Sequence, residues 1–419
     1  MQSGIQVLLI LMAVAAFLGV VFEELIHVNK AKVVLFFGAL SWVALFVAAP
    51  DEAFRLQVQA ALNHNITDIA SLWLFLLATM TFVAYLNKKG LIENIIYSIL
   101  PARITERKLL FLTGLFCFVF SSIADNITAT LVSVALVLSL KLEIRKTLRF
   151  VTLVVFAVNS GGVAMITGDV TTLMIFLAGK VEITHLLLLS LPALMAVMLL
   201  AGLLSVGLSG EVMIEKSGMK TIRGVDEVIG IIFLLTIVAT ILGSLLFGIP
   251  PVLTFLTGLA VMFLIARFFN EDIENDPILE YIRAIEFETL LFFLGVLLLV
   301  GMLQFIGVLQ GFTALYELVP VPVANFLMGL LSALIDNVPL TAALLKSDLE
   351  MSIAEWMGLT YAVGVGGSLL IIGSAAGIVA MSKVPGLTFM TYMRSFGLLL
   401  AAFAFGFLAV YGLGLLVQG

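Results

Sequence analysis

The sequence is poor in the residues on which soluble enzymes most depend. One cysteine, Cys117, and three histidines stand among 419 residues, and charged side chains make up only 11% of the chain. A lone cysteine excludes a disulfide framework and a thiolate metal cluster. His27, His64 and His185 all fall at the edges of apolar runs, which leaves no histidine centre for a borderline metal. No Walker A segment is present, so ATP is not the direct energy source. Period-two alternation with a polar face is also missing, which excludes an outer-membrane barrel. The first run, MQSGIQVLLILMAVAAFLGVVFEE, lacks a basic leading stretch and a small-residue cleavage site. It is expected to be a retained first helix. The net charge of −6 is spread over short loops, and no nucleic-acid partner is expected.

What is abundant is hydrocarbon. The chain is 62% hydrophobic with a mean hydropathy of +1.22, and apolar runs of about 18 residues or more recur from end to end. These values imply an all-α polytopic membrane protein. Lys and Arg then give each run a direction, because cytoplasmic loops collect them. Residues 5–22, 33–49 and 69–86 read as spans, with the Lys-free loop from Pro50 to Asp68 outside and Lys88-Lys89 inside. An amphipathic surface helix is expected from Gly90 to Arg107. Glu23, Glu24, Glu286, Glu288 and His27 read as solvated span ends.

Residues 107–141 break the pattern. Arg107 and Lys108 flank one end, and Lys141, Arg145 and Lys146 the other, so both ends are cytoplasmic. The 32 residues between Lys108 and Lys141 are too long for one span and short for two. A re-entrant hairpin satisfies both constraints, with Asp125-Asn126 at its tip, inside protein or beside water. A second hairpin is expected over 320–350, with Asp336-Asn337 at its tip. Residues 148–178 and 354–382 are spans interrupted by NSGGVAMITGDVTT and GVGGSLLIIGSAAG, where glycines and polar side chains indicate broken helices.

These features repeat. Asp125 and Asp336 lie 211 residues apart, and Gly161, Gly162 and Gly168 precede Gly366, Gly367 and Gly373 by 205. Each half has three spans, a hairpin, a broken helix and a span, and every element runs opposite to its counterpart. The expectation is an inverted-topology repeat with two re-entrant hairpins, two broken helices and about ten transmembrane spans. The first repeat covers 1–210, a cytoplasmic linker 211–227, and the second repeat 228–419.

Asp125, Asp169 and Asp336 are the carboxylates at mid-depth, where an unneutralised charge costs several kcal/mol. No basic residue lies at that depth in any span, so a structural ion pair is not available. The choices left are protonation, hydration or a bound cation. Burial favours the proton and a cation favours the carboxylate, which is what proton–cation exchange requires. Asn126, Asn159, Asn337, Thr171, Thr172, Ser368 and Ser374 offer neutral oxygens suited to a small hard ion. Such an ion is expected at Asp125, Asn126, Asn159 and Asp169. As helix caps, the aspartates also have a purely structural use.

Enzyme chemistry fits badly. Gly207-Leu208-Ser209-Gly210 matches a GxSG protease pattern at the end of a span but has no histidine to serve it. Thr167-Gly168-Asp169 approaches the GxGD of intramembrane aspartyl proteases, yet Ile166 stands where the first glycine belongs. No enzyme activity and no cofactor are expected.

The motifs SSIADN, NSGG, Gly168-Asp169-Val170-Thr171-Thr172 and DNVPLTAAL resemble those of the NhaD-type sodium/proton antiporters of the ion transporter superfamily. The resemblance covers nearly the whole chain. It implies exchange of Na⁺ or Li⁺ for protons at Asp125, Asn126, Asn159, Asp169, Thr171, Thr172, Asp336 and Asn337, joined by Ser368 and Ser374. It also implies a homodimeric scaffold, elevator-type alternating access and residence in the cell inner (plasma) membrane. Related dicarboxylate carriers have Ser-Asn-Thr at both tips, and an aspartate in place of the serine disfavours an anionic substrate. An Na⁺-coupled carrier of a small anion or metalloid is the alternative. The first tip departs from the second in having Thr128 where the second has Pro339.

Overall fold

Hydrophobic content this high can satisfy its backbone only within helices, and helices are what the chain forms. The computed structural model describes residues 3–21, 28–91, 94, 98, 101, 103–213, 222, 224–268, 282, 285, 287–347 and 349–418. Among them are eighteen helices and one two-stranded sheet. Glu23, Glu24, His27 and Glu286, residues 92, 93, 95–97, 99, 100 and 102 of the expected surface helix and most of the 211–227 linker lie outside the described residues, and Arg103–Thr105 at the end of that expected helix form a strand instead. Seven of the described helices are long and apolar enough to cross a membrane, and the chain is a multi-pass membrane protein.

Contacts divide the chain into two units. The first comprises Met1–Leu77, Ile285–Pro320 and Val338–Glu350. It holds α1 (Ser3–Val21), α2 (Lys30–Val47), α3 (Glu52–Lys88) as far as Leu77, α11 (Phe287–Phe305) and α12 (Gln310–Leu318). Here α2 and α11 meet backbone to backbone, because a Cβ on Gly38 would lie 2.7 Å from the Gly295 carbonyl oxygen. Trp42 Nε1 donates to Leu298 O at 2.9 Å and Trp73 Nε1 to Leu290 O at 2.7 Å, which ties α2 and α3 to α11. Glu288, at the start of α11, is exposed and accepts from Asn29 Nδ2 at 2.7 Å.

One element differs from expectation. The stretch from Glu52 to Asp68 is not a loop but the first half of α3, which runs unbroken for 37 residues. Its sequence, EAFRLQVQAALNHNITD, contains neither glycine nor proline and is rich in helix formers. Asp51 Oδ1 accepts from Phe54 N at 2.7 Å and so starts the helix. Hydropathy marks the apolar half of such a helix and is silent about the polar half.

The second unit comprises Ala78–Ala284, Val321–Asn337 and Met351–Gly419. Two helix pairs in it are interrupted at the Asp-Asn motifs. α4 (Glu106–Ile123) is followed by α5 (Asn126–Ser139), and α13 (Val321–Ser332) leads to α14 (Asn337–Leu345), of which only Asn337 belongs to this unit. Two further pairs are interrupted at the glycine motifs: α6 (Ile144–Gly162) with α7 (Val170–Leu177), and α15 (Ile353–Gly366) with α16 (Ala375–Lys383). The remaining long helices are α8 (Ile183–Leu204), α9 (Gly224–Phe247), α10 (Pro251–Phe268) and α18 (Phe396–Gln418), with α17 (Phe389–Met393) a short turn.

Equivalent contacts recur in the two sets. A Cβ on Gly161 would strike the Phe118 carbonyl, and one on Gly366 would strike the Gly329 carbonyl. Residues 118 and 329 are again 211 apart. A Cβ on Gly168 would lie 2.5 Å from Ser121 O, and one on Gly373 2.5 Å from Ala333 O. Each glycine therefore lets a hairpin arm touch the break of its neighbouring helix directly.

A clasp joins the start of α4 to the segment that follows α8. Strands β1 (Arg103–Thr105) and β2 (Glu211–Met213) pair antiparallel, with Arg103 opposite Met213. Glu106 is buried beside them, accepts from Lys146 Nζ at 2.6 Å and from Gly210 N at 3.1 Å. Burial by itself would favour the neutral acid, but these donors and the Lys146 charge hold the Glu106 carboxyl below the usual carboxylate range.

Candidate functional site

The first tip is built by a helix start. Asp125 is the N-cap of α5, where four backbone N–H groups have no partner in the helix. Its Oδ1 accepts from Ile127 N at 3.0 Å and Thr128 N at 2.9 Å, and its Oδ2 accepts from Thr128 Oγ1 at 2.7 Å. Both oxygens are thus engaged by the first turn of its own helix. The next side chain points elsewhere. Asn126 Oδ1 accepts from Ser121 Oγ at 2.8 Å, and its Nδ2 donates to Asp169 Oδ2 at 3.2 Å.

Asp169 is the hub. It caps α7 with an extended backbone, accepts from Thr171 N through Oδ1 at 3.1 Å, and is only 7% exposed. Its Oδ2 takes a second amide, from Asn337 Nδ2, also at 3.2 Å. One buried carboxylate oxygen therefore receives an asparagine from each of the two tips. Asp336 lies within electrostatic range of the same carboxylate. Among the described residues, no Lys or Arg forms an ion pair with Asp125 or Asp169. Gly162 is required at this point: a Cβ there would lie 2.6 Å from Asn126 Oδ1 and 3.1 Å from the Asp169 Cβ.

The second broken helix supplies the neighbouring layer. Ser374 caps α16 and accepts from Gly377 N at 3.3 Å. It also accepts from Asn159 Nδ2 at 3.1 Å, while that amide donates to Val155 O at 2.8 Å. Asn159 Oδ1 is buried with no hydrogen bond to the protein, and the Thr171 hydroxyl lies beside the Asp169 carboxylate. A buried carbonyl oxygen of this kind can serve a cation or a water. Thr172 Oγ1 bridges the break to Gly162 O at 3.4 Å. Ser368 turns away: its hydroxyl donates to Val365 O at 2.6 Å, and its carbonyl accepts from Tyr392 Oη at 2.5 Å.

Nine of the ten residues expected from sequence thus fall into three groups, and the tenth, Asp336, sits next to Asn337 at the second tip. Asn126, Asp169 and Asn337 are directly joined, with Thr171 and Thr172 on the same half-helix. Asn159 and Ser374 form a second pair. Asp125 and Ser368 are engaged by their own helices. Sequence reasoning missed Ser121, which orients the Asn126 amide, Thr167, whose hydroxyl holds Ser122 O at 2.7 Å, and Thr128. A signal for the first was present: Ser121 and Ser332 are separated by the same 211 residues as the two aspartates.

Comparison with known proteins bears on what this arrangement belongs to. A sequence family described as "Citrate transporter" matches residues 7–364. The Na⁺/H⁺ antiporter NhaD of Alkalimonas amylolytica is 32% identical over 407 residues, covering 89% of this chain and 83% of that protein. The chain belongs to the NhaD-type sodium/proton antiporters. The NhaD antiporter of Vibrio cholerae serotype O1 is 30% identical over 407 residues, covering 90% of this chain and 85% of that protein. Sodium/proton antiporter 1 of Arabidopsis thaliana is 30% identical over 423 residues, 94% of this chain and 71% of its own length. NhaD-type membership accords with a hub that carries acid, amide and hydroxyl groups and no basic side chain.

Proposed function

We propose that the chain is a secondary sodium/proton antiporter whose exchange centre is Asp169, with Asn126 and Asn337 as the groups that sense its state. The observation that carries this reading is the pair of amides, one from each tip, meeting on a single buried carboxylate oxygen. Ionised, Asp169 can accept both. A proton on Oδ2 would take the place of one of them. A sodium ion would repel the amide nitrogens and attract the amide oxygens, with Asn159 Oδ1 and Thr171 Oγ1 as further donors. Proton and sodium thus compete for one carboxylate.

Asp125 and Asp336 are the second and third carboxylates of the proposed site. More than one exchanging carboxylate permits more than one proton per sodium, hence electrogenic exchange, and Li⁺ is the second cation proposed. Neutralising the site, by ion or by proton, lowers the cost of carrying it through hydrocarbon, whereas the empty charged site stays behind. The carrying motion is proposed as an elevator displacement of two re-entrant hairpins with their broken helices, in a homodimer of the inner (plasma) membrane. The matched glycine contacts at offsets of 205 and 211 support reading residues 1–210 and 228–419 as inverted repeats.

The family description "Citrate transporter" favours a second reading, an Na⁺-coupled carrier of a small anion. Its difficulty is electrostatic, since a carboxylate substrate would face aspartates without a partner cation. Proteoliposomes with an acid interior and a pH dye inside separate the two. External Na⁺ and Li⁺ should alkalinise the lumen, with a membrane potential as a by-product. Silence with every alkali cation, together with Na⁺-dependent uptake of labelled citrate, would overturn the antiporter in favour of the carrier.

A further inference from the structure

Within the second unit, α3, α4 and α9 enclose a cavity of about 540 Å³ that the exchange centre does not use. Val83 and Leu86 of α3, Leu112 and Phe120 of α4, and Phe233 and Leu234 of α9 form its walls. Thr113 contributes the one hydroxyl among its lining side chains, already donated to Leu109 O at 2.9 Å. Water needs two to four polar partners to remain in such a space; among the described residues Glu227 is the one charged side chain in the lining and it lies at the rim, so the interior offers no unengaged group. α3 and α9 are long and apolar enough to cross a membrane, so the slot between them opens onto hydrocarbon. Leu115 and Val119 on α4 and Ile231 and Leu234 on α9 are each 40% or more exposed to that medium.

The end of the cavity nearest the start of α4 is charged. Lys108, Leu112, Leu115 and Val119 follow one another on one face of α4, at the spacing that brings side chains into a row. Lys108 is exposed and has no ion pair among the described residues, whereas Arg107 is occupied by Leu208 O at 2.8 Å. Glu227 lies exposed on the rim at the same end, which is marked by Leu86 and Leu91 beside Gly230. Among the described residues, a dry slot with Glu227 on its rim and Lys108 one helical turn before Leu112, and with Lys89 nearby held by Asp226 at 3.7 Å, matches a zwitterionic lipid. The other end of the slot reaches Ala124, the residue before Asp125.

We propose that this cavity seats an acyl chain of a zwitterionic bilayer phospholipid, with Lys108 on the phosphate and Glu227 on the head-group amine. The seated chain lies along the arm that carries Asp125 and Asn126. The inference is independent of which ion or solute the protein carries.

Gly230 is the residue through which the site can be closed. A Cβ there meets only Leu91 at 3.5 Å and Leu86 at 3.7 Å, ordinary contacts, and a larger side chain extends into the slot. The test uses the full-length protein in liposomes of phosphatidylethanolamine bearing a diazirine on one acyl chain, followed by photolysis and peptide mapping. Labels are expected on residues 112–123 and 230–234 in excess of those on lipid-facing Leu408 and Leu416 of α18, which are 67% and 80% exposed. Gly230→Phe should lower the cavity labels about tenfold and leave the α18 labels unchanged. Gly230→Leu makes the same test if the larger side chain prevents folding. Lys108→Gln should weaken labelling and Lys108→Arg restore it. Cavity labels no stronger than those on α18, or unmoved by filling at Gly230, would overturn the proposal. So would labelling by a diazirine fatty acid but not by the phospholipid.

Discussion

At the first tip, Asp125 accepts three hydrogen bonds from its own helix, through Ile127 N, Thr128 N and Thr128 Oγ1. At the second, Pro339 stands where the first has Thr128 and can offer neither an N–H nor a hydroxyl. Hydrogen bonds to a charged group contribute about 1.5–3 kcal/mol each, so the missing donors matter. Asp125 is held as a cap by its own first turn, whereas Pro339 removes two of the corresponding donors from the turn after Asp336. The broken helices differ in the same sense. Asp169 at the head of α7 has Ser374 as its counterpart at the head of α16, and Asn159 has Gly364. The comparison teaches that the two tips each carry an aspartate, while at the breaks the first broken helix carries a carboxylate and the second a neutral oxygen.

The largest effect should come from removing the hub. Asp169→Asn should lower Na⁺-driven proton movement about 100-fold or more, a loss of about 2.7 kcal/mol in coupling, whereas Ser374→Ala should cost only a few-fold. Equal losses would show that the two broken helices share the chemistry equally. Next are the amides. Asn126→Ala and Asn337→Ala should each weaken the apparent Na⁺ affinity about tenfold, and the double variant should lose less than the product, because both act on one oxygen. Fully additive losses in sodium titrations would break the single-hub picture.

A smaller effect is expected at the caps. Thr128→Val removes the hydroxyl donor from Asp125 and should alter Na⁺ affinity about threefold, while Pro339→Thr gives the second tip the donors it lacks and should change affinity by a similar factor. The smallest concerns the clasp at α4. Glu106 is buried and clasped by Lys146, whereas Glu317, 211 residues later, is exposed. Because the folded Glu106 carboxyl is held below its unfolded value, its contribution is present at neutral pH and fades as pH falls through the folded value. Glu106→Gln should therefore lower Tm by a few degrees at pH 7, with the difference shrinking as pH falls below the ordinary carboxylate range. Glu317→Gln should leave Tm unchanged at every pH.

Much of this architecture was legible in the sequence, and the reasons differ by element. Membrane helices declare themselves because hydrocarbon forces most residues of a span to be apolar, and apart from α3 the long helices begin and end near the expected positions. The breaks in α6–α7 and α15–α16 were legible because glycines and capping residues interrupt an otherwise continuous apolar run. The polar half of α3 was not, since nothing in Glu52–Asp68 is required to be apolar. Asp169, Asn126 and Asn337 stood out as polar groups at depth, but Ser121 did not, because a serine near a helix end satisfies itself and attracts no notice.

What the sequence by itself determined was therefore the class of protein, the order of its helices, the sites of the breaks and the inventory of oxygen-bearing groups. Tertiary structure decided which of those groups meet. Asn337 reaches Asp169 across 168 residues and Asn159 reaches Ser374 across 215, and neither pairing follows from any local rule. Gly364 shows why. It stands where Asn159 would repeat, and a Cβ there would strike Val163 of the other broken helix. A side chain can be absent from one copy because the other copy fills its place, and only the packing of the two helices against each other sets that condition.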